Sequence, residues 1–389
     1  MEENLGHKKL VDISGFDIRQ ENRGNAALSY GAIYFLVEKG LLYDDQDLVH
    51  FQYYRNPFKA KYLRIHIEDI CIAGVKRKHY IVPVFGLQRT LLEKLGIILP
   101  FTRYGKMMRQ VQYEAADYGG DGFSDIYGDR LFLSRLYQTF PFMAAKIPLI
   151  VLPQTLGPFK IEQNKELALK VLKYAKKVYV RDDRFNDELN KNHIPYERTK
   201  DLSAYMQPEE WDIKIEDKSV GLNISGLAYY NRFKGLEHQF DTYPKLVLKI
   251  IEYFNAKDYH VYLIPHSYRW SNPSSDNDDL LACKDVYQKM KNRNRVTLLD
   301  KDLTSPQVKY VISRMKYFVG TRMHANFAAI YTKVPVFGLA YSYKFKGAFD
   351  ANGLDGNRQT FMINNITFDQ INDVIIKIDD HFSRINNTY

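Results

Sequence analysis

The sequence predicts an α/β protein built from two doubly wound, Rossmann-like domains that face a cleft. Its 389 residues exceed what one hydrophobic core usually holds and suit two domains of roughly 150 to 200 residues each. Short apolar segments alternate with segments of helical periodicity, which is the pattern of parallel sheets connected by helices. A polar, charged stretch at residues 207–219 separates two successive blocks of this alternation.

In the first block the alternation begins with a strand, and each helix is followed by another strand. Strands are expected at residues 10–13, 113–118, 147–152 and 178–180. Helices are expected at about residues 26–39, 131–145 and 163–177. The last helix is the clearest, because Leu167, Val171 and Leu172 recur at the 3.6-residue period.

The second block repeats the alternation after the polar stretch. Strands are expected at residues 220–224, 260–264, 296–299, 317–319 and 334–339. Helices are expected at residues 243–255, 278–291, 305–315 and 322–331. Ser305 is the expected N-cap of its helix, with Pro306 at the first helical position.

These elements divide the chain into four parts. The parts are an amino-terminal domain at residues 1–206, a linker at 207–219, a carboxyl-terminal domain at 220–365 and an amphipathic helix at 366–389. The helix is predicted because apolar residues between 368 and 385 recur at helical spacing.

The composition is that of an ordinary globular protein, 45% hydrophobic and 26% charged. The two cysteines cannot form a disulfide framework, which favours a reducing compartment. The first ten residues lack the apolar core of a signal peptide, and no segment has the ~18 to 20 apolar residues of a membrane span. We therefore expect a cytoplasmic protein, with the inner membrane face as a further location.

The net charge of +9 is moderate, and lysines and arginines are spread along the chain. This spread favours a solvated basic surface over a nucleic-acid site, so no nucleic-acid partner is predicted. Attraction to an anionic substrate or to the inner membrane surface stays open. The sequence makes no prediction of oligomeric state.

Loops after the predicted strands are rich in glycine, polar and charged residues. In doubly wound sheets, ligands bind at the carboxyl ends of strands. A glycine after one strand is usually only a turn, but its recurrence after nearly every strand favours a binding role. The loops contain Gly24 and Asn25, Gly120 and Asp121, Gln154 and Thr155, Arg181, Asn223 and Ser225, and His266.

The turn at Gly320 carries the most chemistry. A short apolar run meets this glycine and becomes a helix whose first turn holds Arg322 and His324. The unpaired N–H groups and the positive dipole end of a helix start suit a phosphate or a carboxylate. Arg322 adds a cationic fork, and His324 can move a proton near neutral pH. We expect an anionic small molecule to bind here and to undergo acid/base chemistry.

Eight blocks of the sequence resemble the polysaccharide pyruvyl transferase family. They run in the family's order across about 320 residues, and Pro-Gln-x-x-Gly-Pro and Gly-x-Arg-x-His are the most specific. The blocks lie at residues 23–27, 119–123, 152–159, 180–183, 220–225, 263–266, 320–324 and 334–344. The family often has an acidic residue at the position of Asn25 and a glycine at that of Asp121. Residues 51–108 match no block, and we expect them to hold acceptor-specific structure.

The resemblance implies a fold similar to that of the GT-B glycosyltransferases and a transferase reaction. A pyruvyl group would pass from phosphoenolpyruvate onto two hydroxyls of a sugar and form a ketal. The acceptor would be a cell-surface polysaccharide (an exopolysaccharide), its repeat unit or a lipid-linked precursor. The amino-terminal domain is the expected acceptor side and the carboxyl-terminal domain the donor side, with phosphoenolpyruvate as donor and no cofactor.

Residue roles follow from the same resemblance together with the chemistry of the donor. We expect Arg322 and Arg181 to clamp the anionic donor and His324 to transfer a proton, which makes these the predicted catalytic residues. Which proton His324 moves stays open. The predicted substrate-binding residues are Gly24, Asn25, Gly120, Asp121, Gln154, Thr155, Asn223, Ser225, His266 and Lys344.

The charged residues among these also have structural interpretations. Arg181 would then pair with Asp182, Asp183 or a neighbouring helix, and His324 would be a structural histidine. A structural role and a catalytic role for His266 are equally consistent with its place at a strand end.

Two other sets of polar residues leave alternatives open. Gln154 and Thr155 lie in a loop flanked by prolines, so they could serve only to hold that loop. Asp276, Asp278 and Asp279 resemble a metal cluster, but their position before a helix favours N-capping. No metal site is predicted.

Two other functions stay open. One is a GT-B-type glycosyltransferase that uses a nucleotide sugar, which would need a base-stacking pocket and a ribose-binding carboxylate in the second domain. The other is a non-catalytic glycan-binding protein, against which the joint presence of Arg181, Arg322 and His324 argues. Binding of phosphoenolpyruvate would indicate the pyruvyl transferase, and binding of a nucleoside diphosphate would indicate the glycosyltransferase.

Overall fold

The computed structural model describes residues 10–54, 60–274 and 276–386. They form two compact units, of which the first contains the described residues of 10–17 and 28–206 and the second those of 18–27 and 207–386. The short segment 18–27 therefore packs with the carboxyl-terminal half of the chain. The acceptor and donor roles of the two halves stay predictions.

The first unit is built on an eight-stranded sheet with the order β3-β4-β2-β1-β5-β6-β7-β8. Strand β3 is antiparallel to β4, and the other neighbours are parallel. The strands are β1 Leu10–Ser14, β2 Asp47–Tyr54, β3 His66–Ile72, β4 Val75–Phe85, β5 Val111–Ala116, β6 Leu149–Gln154, β7 Lys177–Val180 and β8 Glu197–Arg198.

Helices connect these parallel strands. They are α1 Arg23–Glu38, α2 Gly86–Leu95, α3 Arg103–Met108, α4 Asp129–Leu136, α5 Phe140–Ala144, α6 Glu162–Tyr174, α7 Asn186–Lys191 and α8 Leu202–Tyr205. The first turn of α1 falls in the segment 18–27, which belongs to the second unit.

The second unit is built on a fully parallel six-stranded sheet with the order β11-β10-β9-β12-β13-β14. The strands are β9 Ser219–Asn223, β10 His260–Leu263, β11 Val296–Leu298, β12 Tyr317–Gly320, β13 Val336–Ala340 and β14 Thr360–Met362. The helices are α9 Gly226–Tyr230, α10 Tyr243–Ala256, α11 Asp279–Lys289, α12 Ser305–Ser313, α13 Met323–Tyr331, α14 Lys344–Ala351, α15 Gly356–Gln359 and α16 Gln370–Asn386.

Apolar side chains cover both faces of this second sheet, as a doubly wound fold requires. In β10, Val261 and Leu263 enter one core and Tyr262, between them, enters the other. Helix α16 seals the first of these cores with its apolar stripe, which includes the buried Val374 and Ile378. Full burial of such a side chain contributes about 1.5–3 kcal/mol. Within the described ranges, no helix is both long and apolar enough to cross a bilayer.

In both sheets the strand order reverses beside one central strand. This strand is β1, between β2 and β5, in the first unit and β9, between β10 and β12, in the second. Ligands of open α/β sheets bind outside the carboxyl ends of the strands at such a reversal. The residues of interest therefore follow β1 and β5 in one unit and β9 and β12 in the other.

The predicted elements of the second block are confirmed to within a few residues, and two details are wrong. The N-cap of α12 is Thr304 rather than Ser305, because the Thr304 side chain and Gln307 form a reciprocal capping box. Arg322 is itself the N-cap of α13, with extended backbone, so the helix begins at Met323.

In the first block, the single helix expected at residues 131–145 is two helices. Helix α4 ends at Leu136 and α5 begins at Phe140, with Pro141 in its first turn. Proline lacks the N–H that a continuous helix would need at this position. Strands β2–β4 and helices α2 and α3, in the region that matched no family block, were not predicted.

Two carboxyl groups lie side by side in the centre of the first sheet. Asp12 of β1 pairs in register with Glu114 of β5, and both side chains are buried. Glu114 accepts a hydrogen bond from the Thr139 hydroxyl at 2.8 Å. Burial raises the pKa of both carboxyl groups well above their ordinary values, and Asp12 adds to the effect on Glu114.

Candidate active site

The carboxyl ends of β9, β10 and β12 are tied together by Asn223. Its side chain is fully buried at the end of β9. The amide nitrogen donates to the carbonyl of Ile264 at 3.0 Å, and the amide oxygen accepts from the backbone N–H of Arg322 at 2.8 Å. Asn223 therefore sets the position from which the Arg322 side chain starts, while its own side chain is closed off from solvent.

Asp279, at the start of α11, is the centre of this cluster and is fully buried. Its Oδ1 accepts from Arg322 Nη2 at 2.6 Å and from the Gly226 N–H at 2.8 Å. Its Oδ2 accepts from the N–H groups of His266 at 3.1 Å and Ser267 at 2.9 Å. A buried carboxylate needs such partners, since burying a charge is costly unless it is paired and hydrogen-bonded.

The Arg322 guanidinium is held by its Nε and Nη2 edge. Both nitrogens contact Asp279, and Nη2 also donates to Asn277 Oδ1 at 2.6 Å. Nη1 makes no hydrogen bond with any residue in the described part of the chain, and the residue is 9% exposed. The fork is thus fixed in direction, with one corner available to an anion.

Two histidines lie beside this guanidinium. His266 is buried, and burial together with the nearby charges of His324, Arg322 and Arg23 lowers its pKa well below 6.5. Its ring is therefore neutral at physiological pH. His324, in the first turn of α13, is half-buried. An added Cβ on Gly24 would lie 2.6 Å from His324 Nδ1, so a residue without a side chain is needed there.

The start of α1 belongs to the same cluster. The backbone N–H of Arg23 donates to the His266 carbonyl at 2.9 Å, and the Asn22 side chain caps the helix by accepting from the Gly24 N–H at 2.9 Å. Asn25 lies in this first turn and is half-buried. With α13, two helices begin at this point, and their N-terminal dipoles add to the positive potential of the arginines. We call Gly24, Asn223, His266, Asp279, Arg322 and His324 the Arg322 cluster.

Ser225 and Lys344 lie at neighbouring strand ends. Ser225 is fully buried as the N-cap of α9, and its N–H donates to Tyr243 Oη at 3.1 Å. Tyr243 Oη in turn lies 2.7 Å from the hydroxyl of Thr321. Ser225 thereby supports the turn before Arg322 from behind. Lys344 is the first residue of α14, after β13.

The first unit holds a second cluster around Arg181, at the end of β7. Arg181 Nη1 forms an ion pair with the buried Asp201, and its Nε donates to the Thr155 hydroxyl at 2.9 Å. Asp201 also accepts from the N–H of Ser203 at 2.8 Å. Of the partners named under the structural interpretation, the ion pair is formed with a neighbouring helix, because Asp201 is the N-cap of α8.

Thr155 links three loops of this cluster. Its hydroxyl contacts Arg181 and hydrogen-bonds with the carboxylate of Asp182, and its N–H donates to the Gly120 carbonyl at 2.8 Å. Gly120 has φ +74°, and an added Cβ would lie 3.1 Å from Arg181 Nη1. Glycine is therefore favoured at this position both by its backbone and by the arginine that lies against it.

Asp117, which the sequence reasoning missed, follows β5 at the point of strand reversal. It is 7% exposed, and its Oδ1 accepts from the Gly119 N–H at 2.9 Å. Burial raises its pKa to about 6, against hydrogen bonds that lower it and with a smaller contribution from Asp201. We call Asp117, Gly120, Thr155, Arg181 and Asp201 the Arg181 cluster.

Two other predicted residues of the first unit have different surroundings. Gln154 is fully buried, and its amide accepts from the Tyr118 N–H and donates to the Ala116 carbonyl at 3.0 Å. In this conformation it holds the loops after β5 and β6 together. Asp121 is half-buried and accepts from Tyr127 Oη at 2.7 Å.

The family model for polysaccharide pyruvyl transferases matches residues 22–343, which is most of the chain. The chain belongs to this family. Membership makes it a transferase-family protein and implies a donor and a sugar or glycan acceptor. Seven of the eight blocks named in the sequence reach a strand end or the helix that follows it, and the block at residues 119–123 lies in the loop between β5 and α4.

Solved structures give the same fold for this pyruvyl transferase family member. A protein from Listeria monocytogenes assigned as a UDP-N-acetylglucosamine 2-epimerase aligns with a TM-score of 0.51 at 10% identity, covering 95% of this chain and 87% of its own. A second UDP-N-acetylglucosamine 2-epimerase aligns with a TM-score of 0.51 at 11% identity, covering 97% and 90%. The likeness supports a GT-B fold, and at this identity it shows the fold alone.

The structure of this pyruvyl transferase family member thus assembles most of the predicted residues in two places. Gly24, Asn223, His266, Arg322 and His324 meet in the second unit, and Gly120, Thr155 and Arg181 meet in the first. Sequence reasoning assigned Asp279 to N-capping, a role that belongs to its neighbour Asp278, which accepts from the Leu281 N–H at 3.0 Å. A carboxylate in a polar loop could have been matched to Arg322 only by knowing that β10 and β12 both flank β9.

Proposed function

We propose that this protein transfers the pyruvyl group of phosphoenolpyruvate onto two hydroxyls of a sugar in a cell-surface polysaccharide or its precursor, giving a pyruvate ketal. The observation that carries the proposal is the Arg322 cluster, in which a fixed guanidinium, two histidines and two helix N-termini surround one position. Family membership supplies the reaction class.

The donor fits the charge of this cluster. Phosphoenolpyruvate carries a phosphate and a carboxylate on three carbons, so it needs cationic groups with fixed direction. Arg322 offers Nη1, and the first turn of α13 offers backbone N–H groups. A charge-assisted hydrogen bond is worth about 1.5–3 kcal/mol, so two arginine contacts and the helix N–H groups give an affinity in the micromolar range. Arg181 is the proposed second arginine.

The reaction requires a proton on the methylene carbon of the donor. Protonation makes the adjacent carbon cationic, and one sugar hydroxyl adds to it and releases its proton. Cleavage of the C–O bond to phosphate then lets the second hydroxyl close the ketal ring. One hydroxyl proton replaces the proton delivered to carbon, and the other leaves with the phosphate, so the step balances without a cofactor.

The two histidines suit different parts of this sequence. His266 is held neutral by burial and by neighbouring cations, so its ring is proposed to accept a hydrogen bond from a sugar hydroxyl and to orient it. His324 is more accessible and lies beside the start of two helices, so it is the proposed proton donor to carbon. Asp117, with a pKa raised to about 6, is a further candidate base in the first unit.

The first experiment is a thermal-shift series with phosphoenolpyruvate, phosphate, pyruvate, UDP and GDP. Specific binding at a hundredfold excess over Kd stabilises the folded state by about 2.7 kcal/mol. We expect phosphoenolpyruvate to stabilise most and Arg322→Ala to abolish the shift. Arg358→Ala, an exposed arginine of the same unit, is the matched control and should leave the shift unchanged.

The competing proposal is a nucleotide-sugar glycosyltransferase. Its support is that the solved structures with this fold include enzymes of UDP-N-acetylglucosamine. If UDP or GDP stabilises the protein and phosphoenolpyruvate does not, the pyruvyl proposal fails. Formation of a ketal methyl group, followed by NMR with phosphoenolpyruvate and a sugar panel, then tests the reaction itself.

We also propose a cytoplasmic location with peripheral association at the inner membrane face. The supporting feature is a patch along α2 and the segment that leads into α3. Leu87, Leu95, Ile97 and Phe101 are 48–74% exposed there. Lys94, Arg103, Lys106 and Arg109 lie in the same stretch of the chain, are exposed and form no ion pair among the described residues.

Apolar side chains set among uncompensated cations complement an anionic lipid surface. Each cation near such a surface contributes about 1 kcal/mol, and apolar burial adds to this. The protein should sediment with vesicles of phosphatidylcholine and phosphatidylglycerol and less with phosphatidylcholine alone. Leu95→Asp with Phe101→Asp should abolish binding, whereas Phe368→Asp, a 55% exposed phenylalanine outside the patch, should not. Equal loss in both proteins would refute the patch.

A further inference from the structure

The first unit contains a cavity of about 450 Å³ at the carboxyl ends of β2 and β4. The last residues of β2 form one wall, Val84 and Gly86 form a second, and the end of α4 closes the third. Its volume is in the range of small-molecule sites. None of the residues predicted to bind substrate lines it.

Aromatic rings and amides dominate the lining. The side chains that decide its chemistry are Gln52, Tyr53, Tyr54, Ser134, Tyr137 and Gln138. Tyr54 Oη donates to Gln52 Oε1 at 2.5 Å, which fixes that amide with its nitrogen as the remaining donor. The side-chain amide of the half-buried Gln138 makes no hydrogen bond with any described residue. The cavity thus offers flat rings beside hydrogen-bonding groups that still have capacity.

Charge is the second distinguishing property of the cavity. The lining residues in the described part of the chain include no lysine, arginine, aspartate or glutamate. The histidine among them, His50, has its pKa lowered to about 4 by burial, so it is neutral at physiological pH. A phosphate, a carboxylate or an amine would find no ionic partner among these described lining residues. Rings and amides without charge are what a neutral, hydroxyl-rich molecule needs.

The cavity and the Arg181 cluster both lie at the carboxyl ends of strands of the same sheet. Val49 pairs with Asp12, so Phe51 is level with Ser14, the last residue of β1. Residues 52–54 extend beyond that level, on the side of the carboxyl ends. From β2 to β5, which precedes Asp117, there are two strand spacings, roughly 10 Å.

We propose that this cavity binds a neutral sugar ring of the acceptor glycan, next to the ring that receives the pyruvyl group. The sugar stacks on the tyrosines and bonds its hydroxyls to the amides of Gln52 and Gln138. The acceptor is therefore an oligosaccharide rather than a single sugar, and its recognised unit is uncharged. The site's role as an acceptor subsite rests on the proposed function, whereas sugar binding itself does not.

Saturation-transfer NMR on the full chain, without phosphoenolpyruvate, tests this binding. The probes are the methyl glycosides of galactose, glucose and mannose, with glucuronic acid as the charged comparator. A neutral ring of about twelve heavy atoms is expected to bind with Kd near 1 mM. At least one neutral probe should receive saturation, and glucuronic acid should bind more weakly. Absence of transfer to every neutral probe, or tighter binding of glucuronic acid, would overturn the proposal.

Variants locate the binding at the cavity. Tyr137→Ala should weaken Kd about three- to tenfold through loss of stacking, and Gln138→Leu about fivefold through loss of a hydrogen bond. Tyr43→Ala removes another exposed tyrosine of the same unit, outside the cavity, and should leave Kd unchanged. Equal Kd values for Tyr137→Ala, Gln138→Leu and wild type would place the sugar elsewhere.

Failure of this proposal and failure of the proposed function give different results. If the sugar binds as expected but phosphoenolpyruvate does not stabilise the protein, the cavity assignment stands and the donor assignment falls. If ketal transfer occurs with a KM for oligosaccharides that Tyr137→Ala does not change, the cavity assignment falls and the function stands.

Discussion

Replacement of Asp279 by asparagine tests whether the Arg322 cluster is built on a buried charge. Asp279→Asn keeps the size of the side chain and one carbonyl oxygen but removes the negative charge. The new amide nitrogen must face donors, because Arg322 and the N–H groups of Gly226, His266 and Ser267 occupy the two carboxylate oxygens. Arg322 then has no counter-charge while its side chain stays 11% exposed.

The size of the effect follows from this burial. Breaking a buried ion pair costs about 3–5 kcal/mol, because an uncompensated charge is left behind. In a unit of this size, 1 kcal/mol corresponds to about 2–4 °C in Tm, so Tm should fall by about 6–20 °C. The matched control is Asp300→Asn, which breaks the Lys284–Asp300 pair at 2.8 Å, whose side chains are 36% and 46% exposed. Exposed pairs of this kind are worth about 0–1 kcal/mol.

Tryptophan fluorescence in urea is the assay, because Trp211 and Trp270 are the two tryptophans of the sequence and both belong to the second unit. The signal therefore reports the unit that contains the substitution. A thermal shift with phosphoenolpyruvate should be lost together with the stability. If Asp279→Asn lowers the free energy of unfolding no more than Asp300→Asn does, the buried-charge argument is wrong.

Three further outcomes can be checked. Asp117→Asn should raise the free energy of unfolding at pH 8 by about 3 kcal/mol, because the wild-type pKa of about 6 lies above its unfolded value. The gain should shrink as pH falls through 6 and vanish below about pH 4, and a gain that is constant with pH in urea titrations would contradict this. Gly24→Ala should displace His324 and weaken phosphoenolpyruvate binding at least tenfold. The control is Gly347→Ala, whose added methyl meets no atom within 4 Å and should leave binding unchanged. Binding titrations of both variants test this difference. The ring of His266 should keep its neutral chemical shifts at pH 6 in a histidine NMR titration, and protonation at that pH would show that the cations named here do not act on it.

Periodicity was sufficient for the second unit because its strands are short, apolar and separated by strongly patterned helices. The strand expected at residues 260–264 is β10 His260–Leu263, and the helix expected at 243–255 is α10 Tyr243–Ala256. The same reasoning failed at β4, an eleven-residue strand in which Lys76, Arg77 and Lys78 follow one another. Strand alternation puts Arg77 inside, where it is buried, and such a residue reads as surface in a sequence.

Some residues of the candidate site could also be predicted from the sequence, and others could not. Arg322, His324 and His266 could be grouped from sequence because the carboxyl-end rule brings strand-end loops together. Asp279 could not be added, since its role depends on which strands are neighbours and on a side chain 43 positions away. The burial of polar residues could not be predicted either. The sequence shows that Gln154 can form hydrogen bonds, but it does not show that its partners are backbone groups.

The paired carboxyl groups of Asp12 and Glu114 link the folding of the first unit to the uptake of protons. Their raised pKa values mean that folding is most favourable when these groups hold protons, and that this contribution is lost as pH rises through their folded pKa values. At a pH between the unfolded and the folded pKa values, the unfolded chain releases those protons, so refolding takes protons up from the solvent. In that pH range the heat of refolding should vary with the ionisation enthalpy of the buffer, and Glu114→Gln should remove the part of that variation that Glu114 contributes, while the part from the buried Asp12 remains. Calorimetry in buffers of different ionisation enthalpy would thus give the number of protons that these two groups take up on refolding.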